Sequence, residues 1–248
     1  MKWDNSKKAV LITGSSRGIG RAIAESFAAP EYNVILNCVN NVDKMNEVLE
    51  KIKKTSPNSA GFQFDVADIN AVNSAVDEIN NKFGGVDILI NNAGISLRGL
   101  FQDMPDKDWK WLFDVNVFGM FNLTKAVLPH MISQKKGVII NISSMWGQSG
   151  ASCEAVYSAS KGAVDSFTKA LAKELGPCGI RTNAVSCGCI ETEMNGFLSA
   201  EEKNELAEEI PLMRFGSPKE IGELVRFLAS DKASYINGQI IRADGGFI

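Results

Sequence analysis

The sequence predicts one α/β domain in which a doubly wound, parallel sheet of seven strands carries helices on both faces. Three observations predict it. Short apolar runs alternate along the chain with longer segments whose apolar residues recur at helical spacing. The length of 248 residues suits one large domain of this class. No linker, repeat or low-complexity segment divides the chain, so residues 1–248 are expected to form a single domain.

The first half of the chain supplies four predicted strands and three helices. The strands are short apolar runs at 8–13, 33–39, 61–65 and 86–90. A first helix is predicted from the apolar positions between 22 and 28, and a polar, lysine-rich helix over 42–54. A third helix is predicted over 68–83, because Asp68 is a good N-cap and two glycines follow Phe83.

The second half supplies three more strands, at 138–142, 180–186 and 239–242. A helical region, not necessarily continuous, is predicted over about 106–132. The next helix covers 155–175 and ends at a Gly-Pro stop signal. A polar stretch at about 193–215 is predicted to be the substrate loop, and a last helix covers 218–229.

Composition excludes several classes of function. The net charge of -3 gives no basic field for nucleic acid, and no apolar run approaches the roughly 20 residues of a membrane span. Five cysteines without a regular framework fit a reduced, cytoplasmic protein. Cys187 and Cys189 form a C-x-C pair, but no second cluster completes a metal site, so no metal is expected.

A glycine-rich turn, Gly14-x-x-x-Gly18-x-Gly20, lies between the first strand and the first helix. In this place glycines let the backbone approach a dinucleotide pyrophosphate, and the helix N-terminus supplies N–H donors. The turn therefore predicts a dinucleotide cofactor. The alternative is a tight turn that binds no ligand.

The end of the second strand predicts which cofactor binds. An acidic residue there would bind the adenosine ribose of NAD, but residues 36–41 contain no acid. Arg17, in the glycine turn, could reach the 2′-phosphate of NADP. The sequence therefore predicts NADP(H), with a solvated loop arginine as the alternative.

Tyr157 and Lys161 lie four residues apart in the predicted helix 155–175, so they share one face. A lysine cation beside the phenol is expected to lower the tyrosine pKa from about 10, which suits an acid that protonates a carbonyl oxygen. Ser144 could bind the same oxygen. The alternative is an exposed helical pair without chemistry.

With these motifs in place, the sequence resembles the short-chain dehydrogenases/reductases over nearly its whole length. The similarity rests on the glycine motif at 13–20, Asp65-Val66, the Asn-Asn-Ala-Gly at 91–94 and four dispersed polar residues. It implies a Rossmann fold and a catalytic tetrad of Asn116, Ser144, Tyr157 and Lys161. The resemblance also implies cofactor contacts from Gly14, Ser16, Arg17, Gly18, Ile19, Gly20, Asn40, Asp65, Val66, Asn92, Ala93, Gly94, Tyr157, Lys161, Gly188, Ile190 and Thr192.

Within this family, residues 115–119 and 188–194 and the final Asp-Gly-Gly most resemble 3-oxoacyl-[acyl-carrier-protein] reductases. The resemblance implies NADPH-dependent reduction of a 3-oxoacyl thioester to the 3-hydroxyacyl product. Two alternatives stay open: a dehydrogenase of other ketones or secondary alcohols, including hydroxysteroids, and a non-catalytic dinucleotide sensor. The resemblance implies that Lys161 binds the nicotinamide ribose and Asn116 steadies a water for proton resupply, whereas a local backbone contact is the alternative for Asn116.

Substrate and partner contacts complete the expectations. Ser144, Met145, Trp146 and Tyr157 are predicted to line the substrate pocket, with Leu97, Phe101 and Met104 on the opposite wall. Core packing is the alternative for Met145 and Trp146.

The chain departs from the family at Cys187, where a proline is usual, and this change is expected to loosen the following loop. An acyl carrier protein could use Lys135 and Lys136 near the site mouth, although residues 177–179 carry no charge. The resemblance also implies a homotetramer built through the two long helices.

Overall fold

The computed structural model describes residues 7–196 and 198–248 of the chain. Within these residues seven strands form one parallel sheet in the order β3-β2-β1-β4-β5-β6-β7, which confirms the predicted fold class. The strands are β1 (Lys8–Ile12), β2 (Tyr32–Cys38), β3 (Ala60–Gln63), β4 (Ile88–Asn91), β5 (Gly137–Ser144), β6 (Ile180–Cys187) and β7 (Ile240–Ala243).

Helices connect successive strands and cover both faces of the sheet. They are α1 (Gly18–Ser26), α2 (Val42–Lys53), α3 (Ile69–Phe83), α4 (Asp106–Phe113), α5 (Gly119–Gln134), α6 (Trp146–Ser149), α7 (Ala155–Leu175), α8 (Ala200–Glu209) and α9 (Pro218–Ala229). The predicted helix over 218–229 has the same limits as α9, and Ser217 with Glu220 forms a capping box at its start. None of these helices combines the length and the apolar character that a membrane span requires.

The core has two layers, one on each face of the sheet. All seven residues of β2 are buried. Because side chains alternate along a strand, Val34 and Leu36 pack in the layer under α1, α2 and α9. Ile35 packs in the opposite layer under α3, α5 and α7. The continuous apolar strands of the sequence therefore mark a sheet that is covered on both sides.

Two segments differ from the simplest interpretation of the sequence. The helical region predicted over 106–132 consists of α4 and α5 joined by a π-helical turn, Asp114–Phe118. The stretch predicted as a polar loop contains α8, which begins at a capping box of Ser199 and Glu202. This Ser-x-x-Glu signal is present in the sequence and could have identified the helix.

Candidate active site

A cleft of about 900 Å³ opens at the carboxyl ends of the central strands. The chain order of the strands reverses between β1 and β4, so the loops that follow these neighbours turn to opposite faces and leave a crevice. The loops after β1, β4, β5 and β6 all contribute to its lining. Residues that are far apart in the sequence therefore meet in one place.

The glycine turn after β1 forms the floor of the cleft. Gly14 has a φ of 61°, and a Cβ at Gly20 would collide with the Gly14 carbonyl oxygen and the Asn92 side chain. Arg17 occupies the N-cap position of α1 but makes no side-chain capping bond to it, so the first amides of this helix are left for a ligand. This narrow cradle fits a dinucleotide pyrophosphate.

Partly buried hydrogen bonds join this turn to its neighbours. The Thr13 hydroxyl accepts from the backbone amides of Asn92 and Ala93, at 2.9 Å each. The Asn92 side chain donates to the Thr13 carbonyl at 2.8 Å. On the other side, the Asn37 side-chain oxygen accepts from the Gly14 amide at 3.2 Å. These bonds therefore tie the glycine turn to the loop after β4 on one side and to β2 on the other.

The far end of the cleft contains Asn40, Asp65 and Val66. The Asp65 carboxylate accepts from the Ala67 amide at 2.9 Å, which closes a short turn after β3. Arg17 does lie at this end, but its guanidinium donates to Glu193 at 2.8 Å. Lys44, at the start of α2, donates to the same carboxylate at 3.0 Å. Neither Lys44 nor Glu193 is predicted from the sequence as a site residue.

Ser144 and Tyr157 meet at the other end of the cleft. Ser144 is the last residue of β5 and is buried, and Tyr157 stands in the first turn of α7. Burial raises the pKa of Tyr157, and a side-chain hydrogen bond with Ser144 lowers it in part. The phenol is therefore protonated at neutral pH, as an acid that protonates a ketone requires.

Lys161 is buried one helical turn after Tyr157, and its ammonium donates to the Ile142 carbonyl at 2.8 Å. The ammonium lies 5.7 Å from the centre of the Tyr157 ring. Burial lowers the pKa of Lys161 to about 8. The expected drop in the tyrosine pKa is not seen, because withdrawal from solvent disfavours the charged forms of both groups.

Asn116 lies behind the cleft, on the π-helical turn. Its side chain exchanges two hydrogen bonds with the backbone of Ile95, at 2.8 and 2.9 Å, and donates a third to Ser160 at 3.1 Å. These are the local contacts that the sequence analysis held as the alternative. Asn116 and Lys161 also line a small cavity of about 10 Å³, which is the size of one water molecule.

Met145 and Trp146 line the cleft beside Ser144 and Tyr157, although Met145 is buried and Trp146 also packs edge-on against Phe247 at 5.9 Å. The predicted opposite wall is wrong. Ile95, Ser96, Arg98 and Trp111 line the cleft there, and Phe101 instead points to solvent. The loop after β4 turns Leu97 and Met104 out of the lining as well.

Arg98 and Glu154 form a further charged pair in the cleft that the sequence analysis missed. The Arg98 guanidinium donates to the Glu154 carboxylate at 2.7 Å, and Glu154 is buried. The predicted substrate loop, residues 193–215, contributes four side chains to the cleft: Glu193, Met194, Leu198 and Leu206.

Cys187 is bonded into the sheet, and its expected loosening of the following loop stays a prediction. It is the last residue of β6, its carbonyl accepts from the Met145 amide at 2.9 Å, and the next amide, of Gly188, donates to Ala243 at 3.0 Å. Burial raises the pKa of the Cys187 thiol to about 12, so it is a neutral wall residue.

Lys135 and Lys136 lie away from the site, contrary to expectation. They directly precede β5, whose opposite end carries Ser144. Eight residues of strand separate the two ends, which corresponds to about 25 Å. Within one chain these lysines therefore lie where the amino ends of the strands are, at the opposite end of the sheet from the cleft. Residues 177–179, which precede β6, lie at the same end.

The structure brings the predicted residues together. Apart from Leu97, Phe101 and Met104, all those predicted to contact cofactor or substrate line the one cleft, and Asn116 lies directly behind it. Their common feature is position rather than sequence spacing, because each follows the carboxyl end of a strand or faces it from α7. Among the described residues, no group of three or more acidic, histidine or cysteine side chains is arranged to hold a metal ion.

Comparison with known proteins agrees with this geometry. The family model of the short chain dehydrogenases matches residues 8–203. The 3-oxoacyl-[acyl-carrier-protein] reductase FabG of Staphylococcus epidermidis is 43% identical over 239 residues, covering 96% of this chain and 98% of the relative. The enzyme of the same name from Aquifex aeolicus is 43% identical, covering 96% of both chains. An uncharacterized oxidoreductase of Bacillus subtilis, YmfI, is 41% identical, covering 97% of this chain and 98% of the relative. The chain therefore belongs to the short-chain dehydrogenases, oxidoreductases that work with a nicotinamide dinucleotide.

Proposed function

We propose that the protein reduces a 3-oxoacyl thioester to the 3-hydroxyacyl thioester with NADPH. The observation that carries the reaction type is the meeting of Ser144, Tyr157 and Lys161 in the same cleft as the glycine cradle. The substrate class is supported by relatives about two-fifths identical that are named 3-oxoacyl-[acyl-carrier-protein] reductases.

The chain's own residues bind and protonate the ketone. Ser144 and Tyr157 hold the carbonyl oxygen by hydrogen bonds, and the Tyr157 phenol gives its proton to that oxygen as negative charge develops. When bound, the reduced nicotinamide dinucleotide supplies a hydride. The glycine cradle at 14–20 holds its pyrophosphate, and Ile190 and Thr192 line the cleft beside the reacting end.

Lys161 returns a proton to Tyr157, and a water held beside Asn116 replaces that proton from solvent. The cavity of about 10 Å³ between them has room for one water, with the Asn116 amide and the Lys161 ammonium on its wall. Lys161 also binds the nicotinamide ribose. Asn116, tied to Ile95 and Ser160, keeps the cavity open by holding the π-helical turn against the loop after β4.

NADPH is the preferred cofactor in this proposal, because Arg17 and Lys44 are cations at the adenosine end while β2 ends without an acid. We expect acetoacetyl-CoA to be reduced at least tenfold faster with NADPH than with NADH at equal concentration. Absorbance of the reduced cofactor measures both rates. Faster turnover with NADH would contradict the cofactor assignment.

A second candidate function is reduction of another ketone, such as a ring ketone or a steroid. It is favoured by the apolar side chains Met194, Leu198 and Leu206 in the cleft and by the distance of Lys135 and Lys136 from Ser144. In the same assay, turnover of a bulky ring ketone but not of acetoacetyl-CoA would support this candidate.

Cofactor binding without turnover of either ketone would support a non-catalytic sensor instead. Thioester turnover would make an acyl carrier protein carrying the substrate the next partner to test.

We also propose a homotetramer, assembled through α5 and α7. Phe118 and Phe121 on the α5 side and Phe167 on α7 form a chain of ring contacts, at 6.1 and 4.5 Å, and Phe118 is half-exposed. An aromatic patch of this kind is typical of interfaces. Light scattering at micromolar concentration should give four times the mass of 26.9 kDa. Phe118→Glu should lower the measured mass, whereas a monomeric mass for the unaltered chain would refute the assembly.

We also propose that the protein is cytoplasmic, because five free cysteines fit a reducing compartment.

A further inference from the structure

Three charged side chains from three separate segments meet over the adenosine end of the cleft. Glu193 follows β6, Arg17 belongs to the glycine turn, and Lys44 lies in the first turn of α2. One Glu193 carboxylate oxygen accepts from Arg17 at 2.8 Å and the other from Lys44 at 3.0 Å. The partners are 176 and 149 residues from Glu193 in the sequence. The Glu193 carboxylate, on the segment after β6, therefore reaches across the cleft and bridges the Arg17 and Lys44 cations on the other side.

The charge at this bridge suits replacement by a stronger anion. Hydrogen bonds from Lys44 and Arg17 lower the pKa of Glu193, so it is ionised at neutral pH. Each side chain of the cluster keeps about half of its surface exposed, and ion pairs of this kind are weak. A phosphate monoester carries nearly two negative charges and three acceptor oxygens, so it binds the same two cations more strongly.

We propose that Glu193 is an internal competitor of the cofactor's 2′-phosphate. In the free protein its carboxylate occupies Arg17 and Lys44, which are the 2′-phosphate site. Binding of a 2′-phosphorylated cofactor displaces Glu193 and so frees the segment 192–195 from its contact with Arg17 and Lys44. Glu193 thus sets the affinity for NADPH without affecting that for NADH, and Lys44 is a second phosphate ligand beside Arg17. This inference rests on the cofactor assignment proposed above.

The test compares two fragments that differ only in the phosphate, 2′,5′-ADP and 5′-AMP, by isothermal titration calorimetry. Neither fragment reacts, so the readout does not depend on activity. Glu193→Gln should lower the dissociation constant of 2′,5′-ADP about fivefold, because both cations are freed. The constant for 5′-AMP should stay within about twofold. Lys44→Met should weaken 2′,5′-ADP and leave 5′-AMP unchanged.

Glu191→Gln is the matched control. It removes the same charge two residues away, on an exposed side chain that does not line the cleft, and should leave both constants unchanged. If Glu191→Gln raised the affinity for 2′,5′-ADP equally, the change in net charge alone would explain the effect, and the inference would be overturned. If the unaltered protein prefers 2′,5′-ADP but Glu193→Gln does not change its constant, this inference alone fails. If neither protein distinguishes the fragments, the NADP assignment fails with it.

Discussion

Replacing Tyr157 with phenylalanine should lower the turnover of the ketone about a thousandfold and leave the affinity for the cofactor nearly unchanged. The ring keeps its place in the first turn of α7, and only the proton donor is lost. A positioned general acid contributes roughly 10²–10⁴ to a rate. Single-turnover rates and cofactor titration by fluorescence measure the two quantities separately.

Tyr235→Phe is the control for this substitution. Tyr235 is fully exposed and does not line the cleft, so the same loss of a hydroxyl there should not alter turnover. Tyr157→Phe with near-normal turnover would remove Tyr157 from the role of acid. A large loss of cofactor affinity in that variant would instead mean that the hydroxyl acts in binding.

Replacing Lys161 with methionine should have the second largest effect, a fall in kcat/KM of about a hundredfold or more. The ammonium is buried, donates to the Ile142 carbonyl and lines the water-sized cavity. Methionine fills a similar volume but supplies neither charge nor donor. Lys169→Met is the control, because Lys169 is two turns further along α7 and exposed. Equal loss in both variants would contradict a specific role for Lys161.

Thermal unfolding separates this role from a structural one. Burial lowers the pKa of Lys161 from its ordinary value of 10.5 to about 8, so carrying its charge opposes folding at neutral pH. This cost is fully present below about pH 8 and fades as the pH rises towards 10.5. Lys161→Met should therefore unfold at a temperature no lower than the unaltered protein at pH 7. A clear drop in that temperature would indicate that Lys161 acts in stability.

The pH profile gives an independent readout of the same group. The kcat/KM for reduction, which reports the free enzyme, should fall as the pH rises through about 8, where Lys161 loses its proton. Tyr157 does not produce this fall, because its pKa is raised and the phenol stays protonated. Lys161→Met should be slow throughout and lack the step near pH 8. A step that persists in the variant would belong to another group.

Local patterns in the sequence were enough for most of the fold. The seven strands are short apolar runs, and Ser217 with Glu220 marks the start of α9, because hydrophobic spacing and capping act between near neighbours. The Gly14–Gly20 turn was also a local signal, since its chemistry depends on the absence of side chains. The substrate wall was predicted less well, because the loop after β4 has no repeating pattern that would show which side chains face inward.

The sequence by itself determined the parallel sheet, the glycine cradle and the tyrosine and lysine on one face of α7. Only the tertiary structure decided what surrounds these groups. Lys161 has a pKa of about 8 because β5 and α7 bury it, and Glu193 is paired with two cations more than a hundred residues away. Lys135 and Lys136 lie at the end of the sheet opposite the cleft, because the full length of β5 separates them from Ser144. Helix and strand formation depend on neighbours in the chain, whereas burial and charge pairing depend on distances that the sheet order sets.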